Sequence, residues 1–97
     1  MLISINKHIV GKPDRTDPNY QSITKHFATG FSNAALTLNE FQEVIQQGGY
    51  AYSSQLNGTR RTENFKQSNV ISIDIDGTMH FDELLAHPYV QQYAAFI

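Results

Sequence analysis

The sequence predicts an α+β fold, with helices packed on one mixed sheet. Three observations carry that expectation. Ile3 and Ile5 alternate with Ser4 and Asn6 near the start, residues 37–40 open a patterned helical stretch, and residues 69–76 form a short β-branched run. Strand and helix periods thus coexist in 97 residues, the size of one domain or of a piece of a larger one.

Taken in order, residues 2–10 read as a strand, and GKPDRTDPN, residues 11–19, reads as a loop because it holds two prolines, a glycine and several turn formers. Residues 20–35 give a divided signal. Phe27 and Phe31 are spaced as on a helix face, while Gly30 and Ser32 oppose a stable helix. The spacing then predicts a helix over 38–47. Thr37 and Glu40 form a capping box, Leu36 and Phe41 take the staple positions, Leu38, Phe41, Val44 and Ile45 share a face, and Gly48-Gly49 stops it.

Residues 50–55 read as a strand and Asn57-Gly58 as a turn. The polar stretch 59–69 carries the densest basic group, Arg60-Arg61 with Lys66. Val70, Ile71, Ile73 and Ile75 make residues 69–76 the strand with the strongest signal, expected at the centre of the sheet and ended by Gly77. Asp82 to Leu85 opens a helical turn. His87 caps a second helix that starts at Pro88. Val90, Tyr93, Ala94 and Ile97 fall on one stripe of that helix, a face either docked on the chain's own core or open to self-association or to a missing C-terminal half. Tyr50, Tyr52, Phe27 and Phe31 read as core residues rather than stacking platforms.

Composition narrows the function classes. A net charge of −2 gives no bulk attraction to nucleic acid, so any such contact needs a local basic patch. The absence of cysteine excludes disulfides and thiolate-bound zinc. No apolar run approaches the ~18 residues of a membrane span, and MLISINKHIV is too short and too interrupted for a signal peptide. A soluble, cytoplasmic protein with no membrane partner is the expectation.

The chemistry concentrates in VISIDIDGT, residues 70–78. On a strand, Asp74 and Asp76 share a face, ~6.6 Å apart along the backbone. Two carboxylates held side by side stay ionised only in water or around a cation. Hard oxygen donors of this kind suit Mg²⁺ or Mn²⁺, which can clamp the reacting oxygens of a phosphoryl transfer. The bland reading is a strand that ends in solvent. Arg60 and Arg61 are the candidates for binding nucleotide or DNA phosphates, with Asn64 to orient one of them or to meet a sugar. The bland reading there is a solvated basic turn. Lys7-His8, Lys25-His26 and His80 carry no site signal of their own.

Two families share the local pattern. Asp74-Ile75-Asp76-Gly77-Thr78 is similar to the opening motif of the haloacid-dehalogenase-like phosphatases, which would make Asp74 the nucleophile, Asp76 the general acid/base and Thr78 a phosphate ligand. That motif usually lies on the first strand of its fold, whereas here about 70 residues precede it. The longer resemblance is to the archaeo-eukaryotic primase superfamily, the prim-pol-like enzymes of plasmids and phages. It covers roughly residues 27–97: the T-L-x-E-F helix, the glycine and strand after it, R-R-x-x-N-F, the D-x-D strand and the H-P-x-V helix.

That resemblance implies a partial primase-like fold, with an N-terminal module over 1–68 and the start of a metal-binding catalytic module over 69–97. It implies template-directed nucleotidyl transfer on DNA with nucleoside triphosphates, with Asp74 and Asp76 as catalytic metal ligands for Mg²⁺ or Mn²⁺. The family's later S-x-H and third carboxylate strand are missing. These 97 residues are therefore expected to be an incomplete portion, inactive alone, of a DNA primase or polymerase. A stand-alone nucleic-acid-binding or dimerisation module is the alternative from another class.

Overall fold

Residues 2–10 form the central strand because both of their edges and both of their faces find partners. The structure, a computed structural model, describes residues 1–95. Strand β1 (Leu2–Val10) pairs antiparallel with β2 (Ser32–Ala35) on one edge, Leu2 facing Ala35 and Ile5 facing Ser32. On its other edge it pairs antiparallel with β3 (Tyr50–Ser53), Ser4 facing Ser53 and Asn6 facing Ala51, before an irregularity that sets Val10 opposite Tyr50. The order is β2-β1-β3. A second, two-stranded sheet joins β4 (Gln55–Leu56) to β5 (Phe65–Gln67), also antiparallel. All pairs between the described strands are antiparallel, and none is the parallel kind that a mixed sheet contains. With the helices packed on the sheets, the class is α+β.

Helix α3 (Leu38–Gln42) covers the Ile3 and Ile5 face of the main sheet. The two short helices before it are α1 (Tyr20–Thr24) and α2 (His26–Thr29). The expected capping box is present. Thr37 Oγ1 accepts from the Glu40 amide at 3.2 Å, and Glu40 Oε2 accepts from the Thr37 amide at 2.8 Å. The helix continues as a π-helical turn over Glu43–Gln47, and Gly49 at φ +61° lets the chain reverse into β3. Phe41 is fully buried against Ile3 and Ile5, with Leu36, Val44, Ile45, Tyr50 and Val70 around it. Its ring meets Tyr52 edge-on at 5.2 Å. Burial of large apolar side chains of this kind stabilises a fold by ~1.5–3 kcal/mol each.

The opposite face of β1 is polar and buried. Ser4 and Asn6 are as inaccessible as Phe41, so the alternation of the sequence does not mark one wet face. Ser4 Oγ donates to the Ser54 carbonyl at 2.7 Å. Asn6 Nδ2 donates to the His26 carbonyl at 2.6 Å, while Asn6 Oδ1 accepts from the His8 amide at 3.0 Å. A Cβ on Gly30 would stand 2.6 Å from Asn6 Oδ1, so glycine is what lets this amide fit. Asn33 plays a similar part between the sheets, its side chain donating to the Leu56 carbonyl and accepting from the Leu56 amide. Every buried side-chain polar atom among the described residues has a partner, as the cost of burying an unpaired one requires.

Two expectations are corrected. Residues 69–76 carry no strand, and the centre of the sheet is β1. Val70 packs against the core and Ser72 Oγ shares a hydrogen bond with Tyr52 Oη at 2.5 Å, but no ladder forms with β3 or any other described strand. The physical reason is partner supply: β propensity expresses packing and pairing with neighbours, and here no described strand pairs with the run and Val70 is its one residue packed on the core. Ile71 and Ile73 are accordingly 91% and 68% exposed. The strand expected over 50–55 also breaks at Ser54, its last residues turning into the second sheet.

The C-terminal elements are α4 (Phe81–Ala86) and α5 (Pro88–Tyr93), which pack on each other. His87 caps α5 as expected, its Nδ1 accepting from the Tyr89 amide at 3.2 Å. Of the expected stripe, Val90 is half-buried, Tyr93 is exposed and Ala94 follows the helix end; Ile97 lies outside the described residues. Of the aromatics expected in the core, Tyr50 and Phe31 are half-buried, whereas Phe27 and Tyr52 are exposed. Among the described residues, no helix is long and apolar enough to cross a membrane.

Candidate functional site

Asp74 and Asp76 follow the stretch that leans on β3, and both are exposed. Neither makes an ion pair among the described residues, where the salt bridge present joins Arg61 to Glu63 at 4.0 Å. The two carboxylates therefore rely on water or a bound cation for charge compensation. As hard oxygen donors they fit Mg²⁺ or Mn²⁺. No group of three or more His, Asp or Glu side chains able to hold a metal occurs among the described residues.

The arginines sit on the turn between β4 and β5. This turn is pinned at several points. Arg60 donates its amide to the Ala28 carbonyl at 2.8 Å, Asn57 donates to the Asn64 carbonyl at 2.7 Å, and a 3₁₀ turn spans Thr62–Asn64. Asn64 Nδ2 donates to the Thr59 carbonyl at 2.8 Å, so the side chain expected to orient an arginine instead closes the turn that carries both arginines. The Arg60 guanidinium lies over the Phe31 ring, 5.9 Å from its centroid, a favourable cation–π distance. Arg61 projects into solvent beside Glu63, both 68% exposed, and such an exposed pair contributes little.

Two open depressions flank this turn. One, of about 450 Å³, is lined by Arg60, Arg61 and Thr62 together with Ser53, Ser54, Leu56 and Phe65. The other, of about 470 Å³, has Ser53, Ser54 and Phe65 in common with it and is also lined by Ser68, residues 70–72, Ile3 and Tyr52. The structure thus brings the arginine turn and the start of the Asp74–Asp76 segment to neighbouring sides of one Ser53-Ser54-Phe65 ridge. Neither depression is lined by Asp74, Asp76 or Asn64.

Sequence reasoning passed over that ridge. Ser53 and Ser54 look like strand-end residues in isolation. Phe65 is the sole apolar residue in the polar stretch 59–69, and that isolation is the signal that could have found it. Comparison with known proteins adds no relative: no family model matches the chain, and neither a curated protein nor a solved structure matches it.

Proposed function

We propose that this chain belongs to a metal-dependent nucleotidyltransferase of the archaeo-eukaryotic primase type, acting on a DNA template with nucleoside triphosphates. The observation that carries the reading is the Asp74–Asp76 pair, two carboxylates at D-x-D spacing with no cationic side chain to neutralise them among the described residues. The order of motifs around the pair supports the same reading, from the capped helix through Arg60-Arg61 to the helix at Pro88.

Asp74 and Asp76 would hold Mg²⁺ or Mn²⁺, whose charge, when bound, stabilises the phosphates at the transition state. Arg60 and Arg61 would bind and orient the triphosphate by charge-assisted hydrogen bonds, which confers position more than reactivity. In the reaction a 3′-hydroxyl attacks the α-phosphate in line and pyrophosphate leaves.

The test is Mn²⁺ binding followed by the loss of the free-ion EPR signal, with hydrolysis of p-nitrophenyl phosphate assayed alongside. The expected result is weak saturable binding, abolished in Asp74→Asn and in Asp76→Asn, without phosphatase turnover. Binding that survives both substitutions overturns the metal assignment, and Mg²⁺-dependent hydrolysis lost in Asp74→Asn transfers the chain to the phosphatase class.

A further inference from the structure

We infer that Phe65 is a stacking platform for the base of a nucleoside triphosphate whose phosphates lie on Arg60 and Arg61. The inference rests on the nucleotidyl-transfer reading and adds to it a recognition residue for the base.

Phe65 belongs to the short ribbon of β4 and β5 and is 57% exposed. Its ring lines both depressions, where a flat apolar ligand can cover it. One depression supplies the ligand's other half. Arg60 and Arg61, consecutive residues that line it, stand on a turn whose backbone the Arg60 N–H and Asn64 tie down, so the turn itself needs little ordering on binding.

Charge points the same way. Residues 59–67 carry three cations, Arg60, Arg61 and Lys66, against the single carboxylate of Glu63. Glu63 is exposed, and its contact with Arg61 is at the outer limit of an ion pair, so a phosphate group can replace it there. Two consecutive arginines lining one depression with a single exposed ring match one base with its phosphates. A nucleic-acid strand instead presents its phosphates singly, one per base.

The chain has no tryptophan, so Phe65→Trp introduces a single fluorescent reporter at the proposed stack. We expect dATP to quench that fluorescence and inorganic triphosphate not to. By calorimetry, Phe65→Ala should bind dATP about tenfold more weakly than the wild type, and Phe65→Tyr should bind it normally. Binding of inorganic triphosphate should be the same in all three, and should weaken in Arg61→Ala.

Equal dATP affinity in Phe65→Ala and wild type overturns the stack, as does a complete lack of dATP binding. Quenching by an oligo(dT) strand but not by dATP also overturns it, placing a template base there instead. Mn²⁺ binding that depends on Asp74 and Asp76, measured separately, keeps the nucleotidyltransferase reading standing if the stack fails. Loss of that Mn²⁺ dependence with the dATP effects intact does the reverse.

Discussion

Residues 1–67 and residues 68–95 are built to different standards. The first region holds every strand pair described, every buried residue and all seven lysines and arginines. The second has two short helices, four carboxylates, no lysine or arginine and no fully buried side chain, although its VISIDID run is among the most β-prone stretches of the chain. The contrast teaches that a hydrophobic pattern is an offer of pairing and burial, and only neighbours in space can accept it.

The largest expected effect lies at the centre of the first region. Phe41→Ala empties a fully buried site, at a cost of ~3–5 kcal/mol, comparable to the whole stability of a chain this small. Urea titration followed by far-UV circular dichroism should lose its cooperative transition; an unchanged midpoint would break the claim that this ring organises the core. Next comes Asn6→Ala, which removes the acceptor of the His8 amide and one of the two donors to the His26 carbonyl, the Gly30 amide being the other, and should cost ~1–3 kcal/mol. Amide hydrogen exchange should quicken in β1 and around α2 together, since one side chain bonds to both.

The smallest effect belongs to the second region. Ile73→Thr alters an exposed, unpaired side chain and should move stability by no more than ~0.5 kcal/mol. A loss as large as that of Asn6→Ala would show that residues 69–76 are packed in solution, and would erase the contrast between the regions.

What could be read from the sequence follows a similar division. The capping box at Thr37 and Glu40, the helical stretch beginning at Leu38, the loop after Val10 and the cap at His87 depend on residues a few positions apart, so local spacing foretold them. Strand β1 was legible from Ile3 and Ile5. The burial of Ser4 and Asn6 was not, because their partners are at Ser54 and His26, far along the chain. The misread strand at 69–76 is the same failure in the other direction, an apolar signal with no described partner. In the candidate site, Asp74, Asp76 and the arginine pair stood out by residue type. The turn that holds the arginines depends on Ala28 and Thr59, and the ridge between the two depressions on a fold that returns Ser53 and Ser54 to Phe65.

The position of β1 between two strands that come later in the chain has a consequence for biosynthesis. On the ribosome its apolar Ile3, Ile5 and Ile9 emerge before either partner strand, and the second edge cannot close until Ser53 has cleared the exit tunnel. During that interval a nascent polypeptide displays an unzipped β-edge, the kind of surface on which chaperones act and aggregates nucleate. Slow reading of the codons translated while residues 36–53 pass through the tunnel would lengthen the exposure, and rapid reading of them would shorten it.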